Sequence, residues 1–416
     1  MNNKILDNYF FVLFSLIPVS IIFGPAISLI TVLLIDFSFI FLLLYKKDYK
    51  FLSNKTVKLI LLFCLYLVFN SIISKNFLIG MERNFGFIRF GILFCAFNYF
   101  FYHKNFFNKI LTVWSITLLI LTIDAYIESI TGKNILGYGD LNGPHGERIV
   151  SLFKNEPIVG GYINAFYLII VGYLFNLSNN YSRKYKNIIL IVSIIFLTII
   201  LLTGERSNTI KAFLGFFIFY YLNDFFNFKQ KFFSIILLFT VISLLISGSD
   251  YLKLRYAGQF LNPHNPQLET KSFNQKIKED TYFKLYQSGF NIFKDNIMFG
   301  VGNKNYRIES CSVKKKHIYI CNTHPHQTYF EFLSEHGLLG GMILLTILFN
   351  LVFGKLKIIL KSKNYVQIGC FIFLLTSFVP FLPSGAFFAD YSLTIFWINL
   401  SLMYSINKKT NIFSSN

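Results

Sequence analysis

Long uninterrupted apolar runs are the feature that most limits what this chain can fold into. The 416 residues contain successive runs of about 17 to 22 apolar residues, the length that an α-helix needs to cross the hydrocarbon core of a bilayer. Only 14% of the residues are charged, whereas roughly 25% are charged in soluble globular proteins. So few charges could not cover the surface of a soluble core, and the sequence therefore predicts an all-α polytopic membrane protein.

The apolar runs predict about twelve transmembrane helices. One long hydrophilic segment separates the ninth run from the tenth. The chain is therefore expected to comprise residues 1–247 with nine spans, residues 248–335 as a loop module, and residues 336–416 with three spans and a cytoplasmic tail. The predicted spans are residues 7–23, 25–45, 57–74, 85–102, 109–130, 157–176, 187–203, 207–223, 232–248, 337–354, 365–382 and 390–406.

The basic residues are distributed unevenly between the two sides of the predicted spans. The formal net charge is +19, and 19 Lys and Arg residues fall on one side of the membrane against 6 in the short loops of the other. Because cytoplasmic loops carry the excess of Lys and Arg, both termini are predicted in the cytoplasm and residues 248–335 outside it. The Lys and Arg residues lie in the short loops between the predicted spans. The positive charge therefore indicates membrane orientation and not nucleic-acid binding.

Two of the five cysteines lie in the predicted outer loop, a setting in which disulfides persist. Cys311 and Cys321 are ten residues apart, and a bridge would close a loop that carries three lysines and a histidine at residues 314–317. Two free thiols are the alternative. A zinc site is disfavoured because the Cys and His spacing fits none of the usual ligand patterns. The other cysteines lie within apolar runs, where a cysteine is usually a small core residue, and are Cys64, Cys95 and Cys370.

A histidine pair precedes the tenth predicted span. His324 and His326 flank Pro325, which favours extended backbone before it, and the apolar run that follows predicts a new helix. The two imidazoles are therefore expected at a junction between loop and helix near the membrane surface. With an ordinary pKa near 6.5, a neutral imidazole there could take a proton from a sugar hydroxyl. Alternatively, the histidines merely cap the start of the helix.

Ionisable groups also occur in or near the predicted spans, where they are energetically costly and often functional. Asp124 and Glu128 lie one helical turn apart near the outer end of the fifth span. Two interpretations are open. They could line a path for an acceptor substrate, or they could pair with Arg89 as a structural contact.

The histidine segment resembles a motif of the bacterial O-antigen ligase and O-antigen polymerase superfamily. His326 is followed by Tyr329, Glu335, Gly337 and Gly340 at the start of a span, as in the histidine motif of that superfamily. Its members are multi-span transferases of lipid-linked glycans with a large periplasmic loop before the last few spans. The resemblance implies the same location for residues 248–335 and an active site that faces the periplasm from the bacterial inner membrane.

Further segments are similar to parts of the same family. Residues 286–305 resemble the loop helix and its Gly-x-Gly turn, residues 203–207 resemble a turn of small residues and Arg, and residues 148–157 resemble the outer segment before the sixth span. Gln327 stands where the family motif usually has Asn. Many members begin the loop helix with Arg, for which the nearest counterparts here are Tyr282 and Lys284.

The resemblance implies a donor glycan attached to undecaprenyl diphosphate and an acceptor that is lipid A core or a growing glycan. Arg206, at the outer membrane boundary, is expected to bind the diphosphate because a guanidinium holds phosphate oxygens by paired hydrogen bonds; an ordinary interfacial anchor is the alternative. Arg255 and Arg307 are both available as a further diphosphate ligand. His326 is the expected catalytic base. The expected supporting residues are His324, Gln327, Tyr329 and Glu335.

The resulting expectation is an O-antigen ligase that inverts the anomeric carbon in a single displacement. The outer loops contain no clustered Asp motif for a divalent ion, so neither a metal nor another cofactor is expected. The partners are the lipid-linked donor, the acceptor and inner-membrane lipids, and no nucleic acid. O-antigen polymerase is the main alternative. A transporter of lipid-linked sugars is disfavoured because its charges would be expected along a central cavity.

Overall fold

The computed structural model describes residues 3–103, 106–139, 148–154, 156–178, 183–258, 280–312 and 319–414, and this part of the chain contains helices and no strand. The predicted all-α class is therefore confirmed. The helices are α1 Asn3–Phe23, α2 Pro25–Lys46, α3 Lys55–Ile72, α4 Phe77–Gly86, α5 Ile88–His103, α6 Phe107–Thr131, α7 Val159–Leu177, α8 Arg183–Leu202, α9 Arg206–Tyr221, α10 Phe228–Gly248, α11 Asp250–Leu252, α12 Thr281–Asp295, α13 Tyr306–Ser310, α14 Thr328–Phe353, α15 Leu356–Ser362, α16 Tyr365–Thr376 and α17 Asp390–Ser405.

Within the described residues, nine helical segments are long and apolar enough to cross a membrane. They are α1, α2, α3, α4 with α5, α6, α7, α8, α10, and α14 with α15. Three further predicted spans correspond to shorter helices, because α9 and α17 have 16 residues each and α16 has 12. The protein is thus a multi-pass membrane protein, and the number of twelve spans remains a prediction.

Two predicted spans near the carboxyl terminus differ from the helices that the structure contains. The tenth span was predicted to begin at Gly337, but α14 begins at Thr328 and has non-helical backbone angles at Gly337. The eleventh was predicted to reach residue 382, but α16 ends at Thr376. Pro380 and Pro383 follow, and since proline lacks an N–H group the helix does not continue through them. Residues 377–389 instead form a loop.

The outer surface of the bundle is apolar, as contact with lipid requires. On α2, the exposed side chains include Ile27, Ile30, Leu34, Phe37 and Phe41, spaced three and four residues apart. This spacing puts them on one face of the helix. The opposite face is buried and contains Ser28, Thr31 and Asp36 beside apolar residues. Such an arrangement, with the apolar stripe outside, suits a helix whose surroundings are hydrocarbon.

The helices α7, α16 and α17 form the centre of the bundle, since nearly all of their side chains are buried. A Cβ atom on Gly369 would lie 2.4 Å from the carbonyl oxygen of Leu168, and one on Gly172 would lie 2.4 Å from that of Tyr365. These two glycines therefore let α7 and α16 approach more closely than larger residues would permit. Small residues have this role at many helix interfaces in membranes.

One end of the bundle, called the loop end, gathers the connections that were predicted to lie outside the cytoplasm. It comprises the connections that contain Lys75, Ile158, Gly204, Arg255 and Ser384, together with the described part of residues 280–327. Contacts between these connections hold them together; they join Lys75 to Glu309, Gly160 to Glu205, Gly204 to Arg255, Ile158 to Tyr391 and His326 to Ser384.

The opposite end contains the connections that were predicted to be cytoplasmic. Asn411 donates a hydrogen bond to the carbonyl oxygen of Asn98, and Lys363 pairs with Asp224 at 2.6 Å. The compartment that each end faces is a prediction from the distribution of the basic residues.

Candidate active site

The histidine segment lies in the loop immediately before α14. The rings of His324 and His326 have centroids 4.0 Å apart, and Nδ1 of His324 lies 2.9 Å from the hydroxyl of Thr323. The side chain of Gln327, and not a histidine, caps α14 by accepting a hydrogen bond from the Phe330 N–H at 2.9 Å. The interpretation of the histidines as helix caps is therefore wrong, and Gln327 has that role.

His326 has a constrained position. Its φ angle of 56° is in the left-handed region that non-glycine residues seldom adopt, and its carbonyl oxygen accepts a hydrogen bond from the Ser384 N–H at 2.8 Å. The side chain is half-buried. Unfavourable backbone angles of this kind persist where the surrounding contacts hold them, which is common at functional sites. The loop between α16 and α17 thus helps to fix the orientation of His326.

Both histidines are in an environment that favours the neutral imidazole. Burial lowers the pKa of His326. Burial also lowers the pKa of His324, to about 4, and the neighbouring His326 and the positive charge of Arg83 act in the same direction. At neutral pH each ring is therefore uncharged and can accept a proton, as a general base must.

Two buried carboxylates on α14 hold the surroundings of the histidines. Glu331 accepts a hydrogen bond from the Phe387 N–H at 2.8 Å, so it binds the loop that follows α16. Glu335, one turn later, accepts one from the Tyr306 N–H at 3.2 Å, so it binds the start of α13. The predicted supporting residue Tyr329 donates to the carbonyl oxygen of Phe378 at 2.6 Å. These contacts are with backbone groups. Glu335 and Tyr329 therefore have structural roles, because they hold the segments around the histidines.

The Gly-x-Gly turn packs into the break in α14. A Cβ atom on Gly300 would lie 2.4 Å from the carbonyl carbon of Glu335, and one on Gly337 would lie 2.4 Å from that of Met298. Both glycines have positive φ angles, and the Gly302 N–H donates to the carbonyl oxygen of Glu335 at 2.9 Å. Only residues without a side chain fit this contact. The motif therefore joins the loop to α14.

Three arginines come together at the loop end, and we call Arg148, Arg206 and Arg255 the arginine group. Arg206 is the first residue of α9, and Nε of Arg255 donates to the carbonyl oxygen of Gly204 at 2.9 Å. Burial lowers the pKa of Arg255, and the positive charges of Arg148 and Arg206 lower it further. Like charges this close together form a site suited to an anion with more than one negative charge.

Glu205, which precedes Arg206 of the arginine group, binds the first turn of α7. Its carboxylate accepts hydrogen bonds from the N–H groups of Gly160 at 2.6 Å and Gly161 at 3.0 Å, and from the amide of Asn208 at 2.6 Å. Burial raises its pKa to about 7, although these bonds and the charge of Arg148 favour the ionised form. Glu205 thus ties α9 to the first turn of α7 and is not a solvated surface group.

The segment that carries Arg148 is held by the two intramembrane acids. Glu128 accepts hydrogen bonds from the N–H groups of Val150 at 3.0 Å and Ser151 at 2.5 Å, and Asp124 accepts one from the Ser151 hydroxyl at 2.5 Å. The proposed pairing of these acids with Arg89 is wrong, because Arg89 forms a 2.6 Å ion pair with Asp390. Their contacts give the acids a structural role in positioning the residues before α7.

Tyr282 connects the arginine group to the histidines. Its ring centroid lies 6.1 Å from that of His326, in an edge-to-face arrangement, and it is close enough to Arg255 to affect the pKa of the guanidinium. The first turn of α12 is therefore near a member of each group. The sequence singled out Tyr282 only as a counterpart of a family arginine, and neither its position nor that of Arg148 beside Arg206 could be deduced from spacing along the chain.

Arg307 and the two loop cysteines lie further along the same module. Arg307 is exposed on α13, and among the described residues no side-chain contact joins it to the arginine group or the histidines. Cys311 and Cys321 form a disulfide, which leaves neither sulfur free to bind zinc. The predicted lysines and histidine of this loop, Lys314, Lys315, Lys316 and His317, lie outside the described residues.

The family comparison covers most of this site. Residues 191–345 match the family model of O-antigen ligase. The matched segment contains Arg206, Arg255, Arg307 and His326, whereas Arg148 precedes it. A comparison with curated proteins finds no match to the chain. The match to residues 191–345 agrees with the motifs around His326 and Arg206, and over this segment the chain is similar to the bacterial O-antigen ligases.

Proposed function

We propose that the protein is an inverting, metal-independent glycosyltransferase that moves an O-antigen or a related glycan from undecaprenyl diphosphate to lipid A core. It would act in the bacterial inner membrane with the loop end in the periplasm. The single observation that carries the proposal is that the Tyr282 ring lies 6.1 Å from that of His326 and is close enough to Arg255 to affect the pKa of the guanidinium. A cationic site and a neutral base are thereby brought to one place, as transfer from a diphosphate leaving group requires.

In the proposed reaction, the arginines and the histidine have separate roles. Arg206 and Arg255 bind the diphosphate of the donor, whose negative charge grows as the bond to the anomeric carbon breaks. His326 takes the proton from the acceptor hydroxyl, and that oxygen attacks the anomeric carbon on the face opposite the diphosphate. One C–O bond forms while the other breaks, and the diphosphate leaves with the electron pair. A single displacement of this kind inverts the configuration of the anomeric carbon.

The arginine group favours a transferase over a transporter. A transporter of lipid-linked sugars would be expected to place its charges along a central path through the membrane. The charged groups described above, Arg148, Arg206, Arg255 and Glu205, instead lie beside a histidine segment at one end of the bundle. Arg307 remains a third candidate for the diphosphate, and among the described residues no contact joins it to the arginine group.

A deletion strain distinguishes a ligase from a polymerase. If the protein is a ligase, lipopolysaccharide from the strain should consist of undecorated core, and glycan should accumulate on the lipid carrier. The disulfide-linked segment that leads into the histidines supports this assignment. If the protein is a polymerase, the core should carry a single repeat unit. An unchanged lipopolysaccharide ladder with no glycan on the carrier would contradict both assignments.

A further inference from the structure

Aromatic side chains form a continuous surface on one side of His326. Tyr282 and Tyr286, one turn apart on α12, have ring centroids 6.5 Å from each other. Tyr286 stacks on Phe330 of α14 at 5.3 Å, and its hydroxyl lies 3.5 Å from the carbonyl oxygen of Phe381. The surface thus extends from the histidine to the loop between α16 and α17.

Phe381, whose backbone carbonyl meets Tyr286, is the unusual residue of that loop. Its side chain is 77% exposed, and its φ angle is 64°, in the left-handed region that is strained for a bulky residue. The loop is held on both sides of it, because the Phe378 carbonyl accepts a hydrogen bond from Tyr329 and the Ser384 N–H donates to His326. An exposed aromatic ring is therefore presented at a fixed place by a backbone that contacts His326.

The surface has one end near Arg255 and the other at the loop between α16 and α17. Tyr282 is close enough to Arg255 to affect the pKa of the guanidinium, whereas the charges that act on Tyr286 are those of Tyr282 and Asp280, and the Tyr286 hydroxyl meets the backbone of Phe381. A donor whose diphosphate is bound by Arg255 would place its first sugar near Tyr282. The space beside Phe381 is then left for the molecule that supplies the attacking hydroxyl.

We propose that Tyr286 and Phe381 form a binding subsite for the acceptor sugar whose hydroxyl is deprotonated by His326. The inference rests on the proposed function and adds the location and chemistry of the acceptor site. A pyranose ring has a face of C–H groups that packs on an aromatic ring, and its hydroxyl groups point outwards from the ring edge to meet polar partners. Phe381 supplies such a ring, and Tyr286 supplies a ring with a hydroxyl.

The competing role for Phe381 is insertion into the membrane interface, where exposed aromatic side chains are common. The two roles differ in the shape they demand. A sugar face requires a flat ring, so that Trp can replace Phe and Leu cannot. Insertion into lipid depends on apolar area, so that Leu serves nearly as well as Phe.

The test compares Phe381→Leu and Phe381→Trp in purified protein, with a lipid-linked donor and lipid A core as acceptor. The KM for acceptor, kcat at saturating acceptor and donor affinity are measured for each. We expect Phe381→Leu to raise the acceptor KM by about 3- to 10-fold, the range that an aromatic stacking contact provides, with donor affinity unchanged. Phe381→Trp should stay within about twofold of the wild type.

Phe228→Leu is the matched control, because Phe228 is 82% exposed at the start of α10 and lies at the opposite end of the bundle. It should leave the acceptor KM unchanged. An acceptor KM of Phe381→Leu equal to that of the wild type would overturn the subsite, and so would an equal weakening of donor binding. These results require an active wild-type enzyme. Failure of the wild type to transfer glycan would instead overturn the proposed function and the inference with it.

Discussion

Nε of Arg255 donates a hydrogen bond to the carbonyl oxygen of Gly204 over 2.9 Å. Because Gly204 lies in the turn that leads into Arg206, this bond fixes the segment after α10 against the first turn of α9. Two guanidinium groups are thereby held near each other although they repel, as the lowered pKa of Arg255 reflects. A diphosphate bound between them would relieve this repulsion, since its negative charge attracts both groups.

Arg206→Lys is predicted to reduce turnover while the protein stays folded. Lys keeps the positive charge but lacks the planar fork that holds two phosphate oxygens at once. Since a hydrogen bond to a charged group contributes about 1.5–3 kcal/mol, the loss should be about 10- to 100-fold in kcat/KM for the donor. Glycan transfer from a purified lipid-linked donor measures it.

Arg307→Lys serves as the comparison for that experiment. Arg307 is exposed, and among the described residues no contact joins it to the arginine group, so the same exchange is expected to change the donor kcat/KM by less than about threefold. A large loss for Arg307→Lys with an active Arg206→Lys enzyme would assign the diphosphate to Arg307 instead.

Local patterns in the sequence were sufficient to predict the helical architecture and parts of the candidate site. Run length alone identifies helices such as α2 and α6, because a bilayer demands about 20 apolar residues whatever the rest of the fold does. The pairing of Cys311 with Cys321 could be predicted from their separation along the chain and their predicted location outside the cytoplasm. His326 could be placed before a span because Pro325 and the following apolar run indicate a new helix.

Contacts between distant segments could not be read from the sequence. Nothing in the spacing indicates that Ser384 would bind the backbone of His326, or that Glu128 would hold the segment of Arg148 and not pair with Arg89. The early end of α16 shows the same limit. The apolar run continues past Thr376, but residues 377–389 form a loop that contacts α14 and the histidine segment.

The acid limb of the pH–rate profile of glycan transfer is predicted to have its midpoint below pH 6.5. Burial lowers the pKa of His326, so the ring stays neutral, and able to accept a proton, to a lower pH than a free histidine. The rate should fall only as the pH drops through the lowered pKa. A pH–rate profile of kcat tests this, and an acid limb centred above 6.5 would contradict the assignment of His326 as a buried base.

The disulfide predicts a defined pattern of cysteine labelling. Alkylation of the native protein should label neither Cys311 nor Cys321 before reduction and both after it. Cys64→Ser is the background of choice, because Cys64 is the partly exposed member of the free cysteines described by the structure. Cys311→Ser should lower the yield of folded protein, since a disulfide in a short loop contributes about 2 to 4 kcal/mol. Labelling of both loop thiols without reduction would contradict the bridge.

The orientation in the membrane can be tested by fusions to a phosphatase that is active only in the periplasm. A fusion at Asn274, which lies in the loop module outside the described residues, should be active. Fusions at Asn54 and Asn364 should be inactive, because both residues lie at the basic end of the bundle. The reverse pattern would move the candidate site to the cytoplasmic face and remove the proposed access to a periplasmic acceptor.

His326→Ala is predicted to lower the rate of transfer by about 10² to 10⁴, the contribution of a general base, with donor binding largely retained. In the proposed mechanism the arginine group binds the donor, so removing the imidazole should leave the diphosphate contacts in place. The assay is glycan transfer in vitro, with donor binding measured on the same preparations. A fully active His326→Ala enzyme would mean that the proton leaves by another route.

His324→Ala is the matched control for His326→Ala. Its ring lies 4.0 Å from that of His326 and bonds to Thr323, so both histidines share the same loop and the same local charge. Both histidines contact the backbone of Ser384, His324 through its ring and His326 through its carbonyl oxygen, but it is the ring of His326 that lies beside Tyr282, which is near Arg255. We therefore expect the loss for His324→Ala to be at least tenfold smaller. Equal losses would indicate that the pair acts as one unit, with the proton shared between two rings.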